Sequence, residues 1–272
     1  MHLPHYIKFL LIVSLFLQPF YNLCAQNSKE DKYYINNNRK WKADIPIWVP
    51  GFRGQIAYGE FDFSSGEGGE REFERLNGDA GLEFYFVGRI SVKHKKIWAQ
   101  IDAFSGRVGS TFTYTSPNEL IEKEIVNIDI HGTIPRCIGG YSVFQATSKS
   151  NIKIELIPYL GFRYVNFRLQ SDVFGNNDVI NIQPNWFEPL IGIYVPVIYK
   201  RFKLELLCDY GATGKNYSWV ISNQYRYRLS QLVDLHIGWT HMHLYHDGVV
   251  NGNNLRSSVR LFGPTAGIGF KF

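Results

Sequence analysis

Apolar and polar residues alternate along most of this chain with a period of two, in runs long enough to cross a bilayer as tilted strands. The ending is the clearest case. From Phe262 every second residue (Phe262, Pro264, Ala266, Ile268, Phe270, Phe272) is apolar, and Gly, Thr or Lys lies between. Such alternation predicts a strand with one apolar face, here running to the terminal Phe272. A soluble domain seldom ends this way, because a frayed apolar edge invites aggregation. A transmembrane β-barrel requires it, since its last strand closes on its first and leaves no unpaired edge in lipid.

Ten segments carry the same alternation: Trp41–Gln55, Ala80–Val92, Ile97–Tyr114, Ile125–Phe144, Ile152–Tyr164, Trp186–Val197, Phe202–Gly211, Trp219–Leu229, Val233–Thr240 and Arg256–Phe272. The fourth is the least regular, and its pleat is expected to slip near Gly132 or Pro135. Lys93–Lys96, Thr147–Asn151, Tyr199–Arg201 and Ser230–Leu232 are short connections. Longer polar stretches, such as Phe63–Asn77 and Leu169–Pro184, join the first and second, third and fourth, fifth and sixth, and ninth and tenth segments. Short turns on one side and long loops on the other predict an all-β, antiparallel up-and-down transmembrane barrel of about ten strands, with both termini periplasmic. The pairing at Gly51–Phe63 or Ala212–Tyr217 leaves eight or twelve strands open.

The amino terminus adds a compartment. Phe9–Leu17 is an apolar run too short to span a membrane as a helix, and Leu23-Cys24-Ala25 precedes a cleavage point before Gln26. Residues 1–25 therefore read as a signal peptide, 26–39 as a polar periplasmic lead-in and 40–272 as the barrel. Lipid attachment at Cys24 is disfavoured by the bulky Leu23 before it. Cys137 and Cys208 fall on outward faces of non-adjacent strands, so they are expected to be free.

Composition narrows the class. Aromatics make up 16% of the chain, with 17 Tyr and 20 Phe, as the two interfaces of a barrel need. The formal charge of +5 comes without a Lys/Arg stripe, which argues against nucleic acid. The expected partners are outer-membrane lipid and lipopolysaccharide, with the barrel-assembly machinery during biogenesis.

The inward positions are unusually ionised. Asp44, Glu83, Arg89, Asp102, Arg136, Glu155, Arg163, Glu188, Glu205, Asp209, Arg226, Arg228 and Asp234 form the expected lumen network, joined by Lys42, Lys153, Lys203, His236 and Lys271. Acids and bases nearly balance, so the set is expected to pair across the barrel, with Asp209 meeting Arg226 from the neighbouring strand. A plugged structural interior and a narrow hydrated channel are both consistent with this. An enzyme would need a reactive group at the rim, for which His241, His243 and Asp247 (with His246 and Asp209 nearby) are the candidates. No nucleophile elbow, phosphate loop or metal-ligand spacing accompanies them, and no cofactor or metal is expected.

Several short stretches carry a resemblance. They are Trp41 with Ile47-Trp48-Val49-Pro50-Gly51 and Gly54, Trp186-Phe187-Glu188-Pro189-Leu190-Ile191-Gly192, Asp209-Tyr210-Gly211, Ser218-Trp219, Tyr225-Arg226-Tyr227-Arg228-Leu229-Ser230 and Gly263-Pro264 with Gly267–Phe272. In order and spacing the chain resembles a family of uncharacterised Gram-negative outer-membrane β-barrel proteins. That resemblance implies a barrel and an outer-membrane location, and it implies no activity. It also makes Ile268, Phe270 and Phe272 the sorting signal, and it puts an acidic residue where Arg136 stands.

Overall fold

The computed structural model describes residues 41–58, 61–64, 83–114, 124–172 and 179–272. The signal peptide and lead-in lie outside the described residues, as does most of the Phe63–Asn77 loop. The described residues form strands and turns: β1 (Trp41–Trp48), β2 (Gly51–Tyr58), β3 (Phe61–Ser64), β4 (Glu83–His94), β5 (Ile97–Tyr114), β6 (Glu124–Tyr141), β7 (Phe144–Thr147), β8 (Lys153–Asp172), β9 (Val179–Ile182), β10 (Asn185–Tyr199), β11 (Phe202–Thr213), β12 (Asn216–Arg228), β13 (Val233–Val250) and β14 (Asn253–Lys271).

Pairing runs β1-β4-β5-β6-β8-β10-β11-β12-β13-β14 and returns from β14 to β1, antiparallel throughout. β1 pairs with Thr265–Lys271 of β14, and β2 continues along Leu255–Phe262 of the same strand. The two are one strand interrupted at Val49-Pro50, where proline has no N–H to give the ladder. β3 folds back on β2, while β7 and β9 flank β8. The wall is thus a closed antiparallel barrel of ten strands. Trp41 and Phe272 exchange two backbone bonds of 3.1 Å, which seals the seam at the end of the barrel where the described strands begin and end. We call this the terminal end.

The pleat sorts side chains sharply. Ile101, Leu160, Ile191 and Ile237 on the outer wall are each more than 60% exposed, whereas Asp44, Arg163, Glu188 and Arg226 on the inner wall are at most 3% exposed. Cys137 and Cys208 are both free and exposed on the outer wall. Hydrocarbon-facing apolar side chains around an ionised interior invert the usual soluble arrangement.

Two expectations are corrected. The register of β5 against β6 runs without interruption from Tyr114↔Glu124 to Ile97↔Tyr141, so no slip occurs near Gly132 or Pro135. The irregular look of this stretch comes from Ile134 and Ile138, apolar residues that face inward beside Arg136. The connection between the ninth and tenth strands is also short. β13 and β14 pair to Val250↔Asn253, and Asn251 and Gly252 turn the chain with φ of 52° and 82°. Two successive positive φ values suit the right-handed strand twist, and Asn-Gly supplies them at low steric cost.

Candidate functional site

The inner wall gathers its ionised side chains into two tiers. Near the terminal end Arg226 (β12) is the hub. Its Nη1 and Nη2 donate to Asp44 Oδ1 and Oδ2 on β1 at 2.9 Å each, and Nη1 also donates to Asp234 Oδ1 at 3.0 Å. Arg226 Nε donates to Glu205, and Nη2 to Gln224 Oε1 at 2.7 Å. Lysines hold the outer corners: Lys42 lies 3.3 Å from Asp44, Lys203 2.6 Å from Glu205 and Lys271 2.7 Å from Asp234. Tyr194 donates its hydroxyl to Glu205 at 2.7 Å. Glu155 pairs with Lys93 and, at 3.1 Å, with Lys153.

The second tier is built on Asp209 (β11). Arg136 (β6) donates to Asp102 through Nε at 3.1 Å and Nη2 at 2.8 Å, and its Nη1 donates to Asp209. Arg163 (β8) donates to the other oxygen of Asp209, to Glu188 at 3.2 Å and to Ser218. Tyr159 adds a hydroxyl bond to Asp209 at 3.0 Å, and Trp186 Nε1 donates to Glu188 at 3.1 Å. The Asp209–Arg226 pair expected from strand adjacency does not form. Adjacent strands put Lys203, not Asp209, opposite Arg226, and Asp209 lies opposite the apolar Val220. Arg136, in place of an acid, is what gives Asp102 and Asp209 a shared cation.

Two inward glycines make room for these groups. A Cβ on Gly211 would come within 2.8 Å of the Glu188 carboxylate, and one on Gly192 would collide with the Tyr159 ring. Both close approaches require the absence of a side chain. Between the tiers lies a cavity of about 60 Å³ walled by Trp48, Phe104, Val220 and Met242, and a larger one of about 170 Å³ opens toward the terminal end. Arg89, Ser222 and Gln224 line both, and Arg89 Nη1 donates across the lumen to Gln224 at 2.9 Å.

Asp44, Asp234 and His236 form a trio of buried groups close enough to hold a metal ion. The guanidinium of Arg226 already sits among them, with His236 Nδ1 3.2 Å from Nη1. Because a guanidinium can only donate, Nδ1 faces it as an acceptor, and the trio is an arginine site rather than a metal site.

The remaining sequence candidates fall as follows. Arg228 is the next inward residue after Arg226 and lies opposite Asp234. Glu83 opens β4, and its side chain lies outside the described residues. His241, His243 and Asp247 share one face of β13, but it is the outer face, because Met242, Leu244 and His246 alternate with them toward the lumen. His241 packs edge-on against Trp219 at 4.8 Å, and His243 bonds Ser258 at 3.1 Å beneath Tyr217 and Trp219. Asp247 faces Arg256 and Lys215 at 3.8 and 3.9 Å. His246 points inward and stacks on Trp186 at 5.2 Å. The barrel wall therefore separates His241 and His243 from both His246 and Asp209. Ile268 and Phe270 on β14, and Phe272 directly after it, are all exposed.

The lumen partners that sequence reading missed are Trp98, Trp186, Ser218 and the apolar residues Ile138, Ile157, Leu190 and Leu244, all buried inward. Their inward parity was a usable signal, but beside outward apolar neighbours they read as continuous hydrophobic runs.

Searches against protein-family models and curated sequences find no match. Solved structures do resemble the chain. The outer membrane protease OmpT of Escherichia coli is 10% identical, with 87% of this chain and 98% of that one covered and a TM-score of 0.49. The translocator domain of the autotransporter NalP of Neisseria meningitidis is 9% identical over 96% and 95% of the two chains, at 0.39. Ail of Yersinia pestis is 8% identical over 86% and 99%, at 0.32. These neighbours are Gram-negative outer-membrane β-barrels.

Proposed function

We propose that this protein is an outer-membrane barrel whose lumen is plugged by its own side chains, serving as a structural wall element rather than a pore. The observation that carries this reading is the reach of the two tiers. Arg226 joins β12 to β1, Arg136 joins β6 to β11 and Arg163 joins β8 to β12, each contact spanning the interior rather than following the wall. A narrow barrel has little free section once inward side chains fill it, and paired charges of both signs offer no ring of one sign to select an ion. The membrane location is supported by the exposed apolar outer wall, the sealed edge and the aromatic final strand. The terminal end, where β1 opens and Phe272 closes the seam, is the periplasmic side in this reading.

Single-channel recording on the refolded protein in planar bilayers tests the plug. The expected trace is closed at neutral pH, and a steady open conductance from the wild-type chain overturns the reading in favour of a narrow solute passage. A parallel screen for lipid and peptide hydrolysis is expected to be silent.

A further inference from the structure

The outer wall of β5, β6 and β8 changes chemistry at one registered level. Moving away from the terminal end, β8 presents Ile154, Leu156, Pro158, Leu160, Phe162 and Tyr164 to the outside. Ten residue steps at about 3.4 Å, tilted by about 40°, rise about 26 Å, close to the height of the apolar band of a membrane barrel. Immediately beyond, the three strands turn polar together. Ser105, Thr133 and Asn166 form one row, and Arg107, His131 and Arg168 form the next. The row beneath them is Ala103, Pro135 and Tyr164.

Above that boundary lies an outward hollow of about 450 Å³, lined by both arginines, His131, Thr133, Asn166, Gln170 and Gln183. Among the described residues its lining has two guanidiniums, an imidazole and several amide or hydroxyl groups, and no carboxylate. Asn166 is held in place by Gln183 at 3.2 Å, and Thr133 by Ser105 at 3.3 Å. The β5–β6 and β6–β8 ladders continue through both rows without a break, so the two arginines sit on paired strands rather than on a loop.

From this placement we infer that the hollow binds the phosphorylated sugar headgroup of a glycolipid in the surrounding outer leaflet. The inference rests on the outer-membrane reading above. Guanidinium forks match phosphate oxygens, and amide and hydroxyl groups match sugar hydroxyls. The acyl chains of such a lipid would lie along Phe162, Phe187 and Ile101, which are more than half exposed directly below. A soluble anion would have no use for that apolar wall.

The test uses the refolded protein in phosphatidylcholine nanodiscs doped with diphosphorylated lipid A, with dephosphorylated lipid A or with phosphatidylglycerol, and reads retained lipid by native mass spectrometry. Retention of diphosphorylated lipid A is expected, falling about tenfold in an Arg107→Gln/Arg168→Gln variant, the loss of roughly one charge-assisted contact. Lys149→Gln, in a turn at the terminal end, is expected to match wild type. Equal retention of dephosphorylated lipid A or of phosphatidylglycerol, protection by inorganic phosphate alone, or undiminished binding by the double variant each overturns the site. Heat-dependent migration on gels reports the barrel separately, so a folded variant that binds nothing differs from a chain that never inserts.

Discussion

Arg226 and Asp44 face one another through two parallel 2.9 Å bonds, although 182 residues separate them in the chain. The fork meets both carboxylate oxygens, the strongest geometry available to an ion pair. Asp44 sits on the first described strand and Arg226 on the eighth of the wall, so the pair can form only after closure of the barrel. It ties the interior to the seam that β1 makes with β14.

Removing one partner should therefore cost more than removing both. Arg226→Leu leaves Asp44, Glu205 and Asp234 buried around an apolar group, and a loss of about 3–5 kcal/mol is expected for full desolvation, less where water enters from the neighbouring cavity. Asp44→Asn should be milder because the amide oxygen still accepts a bond. Urea unfolding of single and double variants in lipid gives the coupling energy, expected at about 1–3 kcal/mol. A coupling near zero would mean that the fork is a surface-like contact of little worth.

Asp209 takes bonds from Arg136, Arg163 and Tyr159, so Asp209→Asn leaves two guanidiniums sharing one neutral group. The expected outcome is lower stability and a leak in planar bilayers, with heat-modifiable folding retained. Unchanged stability and a closed trace would show that Glu188 and Asp102 hold the two arginines without it.

Gly211→Val should strain the second tier through sterics alone. The new Cβ lies 2.8 Å from Glu188 Oε1, so Glu188 must leave either Trp186 or Arg163. Overpacking of this kind costs about 1–3 kcal/mol. The indole fluorescence of Trp186 should shift in the same variant, and an unshifted spectrum with native stability argues against the seat.

On the outer wall, Leu206→Arg is expected to cost about 2–4 kcal/mol by forcing a charge into hydrocarbon. The neighbouring Leu207 is buried and faces the cavity lined by Arg89 and Gln224. Leu207→Gln should be tolerated better than Leu206→Arg, and the reverse order in refolding yield would invert the inside and outside faces.

Phe272→Ser removes the aromatic that follows β14, and slower assembly in cells is expected with near-normal stability once folded. Insertion at the wild-type rate would remove Phe272 from the sorting signal.

The alternation of Leu204, Leu206 and Cys208 with Lys203, Glu205 and Asp209 was enough to assign the two faces of a strand, because a pleat permits only a period of two. The same rule gave the aromatic closing strand and the free, outward cysteines. Where the rule was blurred, inward apolar residues were the cause, as at Ile134 and Ile138. The Asn251-Gly252 dipeptide carries a turn signal too, masked by the polar residues around it.

What no single strand could carry was the choice of partners. Period two states that Asp209 and Arg226 both face inward; it does not state their heights on the wall. Those heights follow from the register of β11 against β12 and from the stagger accumulated around the closed sheet, which brings Arg136 and Arg163 to Asp209 and leaves Arg226 to Asp44. On β13 the pleat alone puts His241 and His243 on the outward face of Ile237 and Trp239, away from Asp209. Sequence thus determined the side of the wall for each residue, since that is a local property of the pleat. Tertiary structure decided who meets whom, since that depends on pairing between strands far apart in the chain.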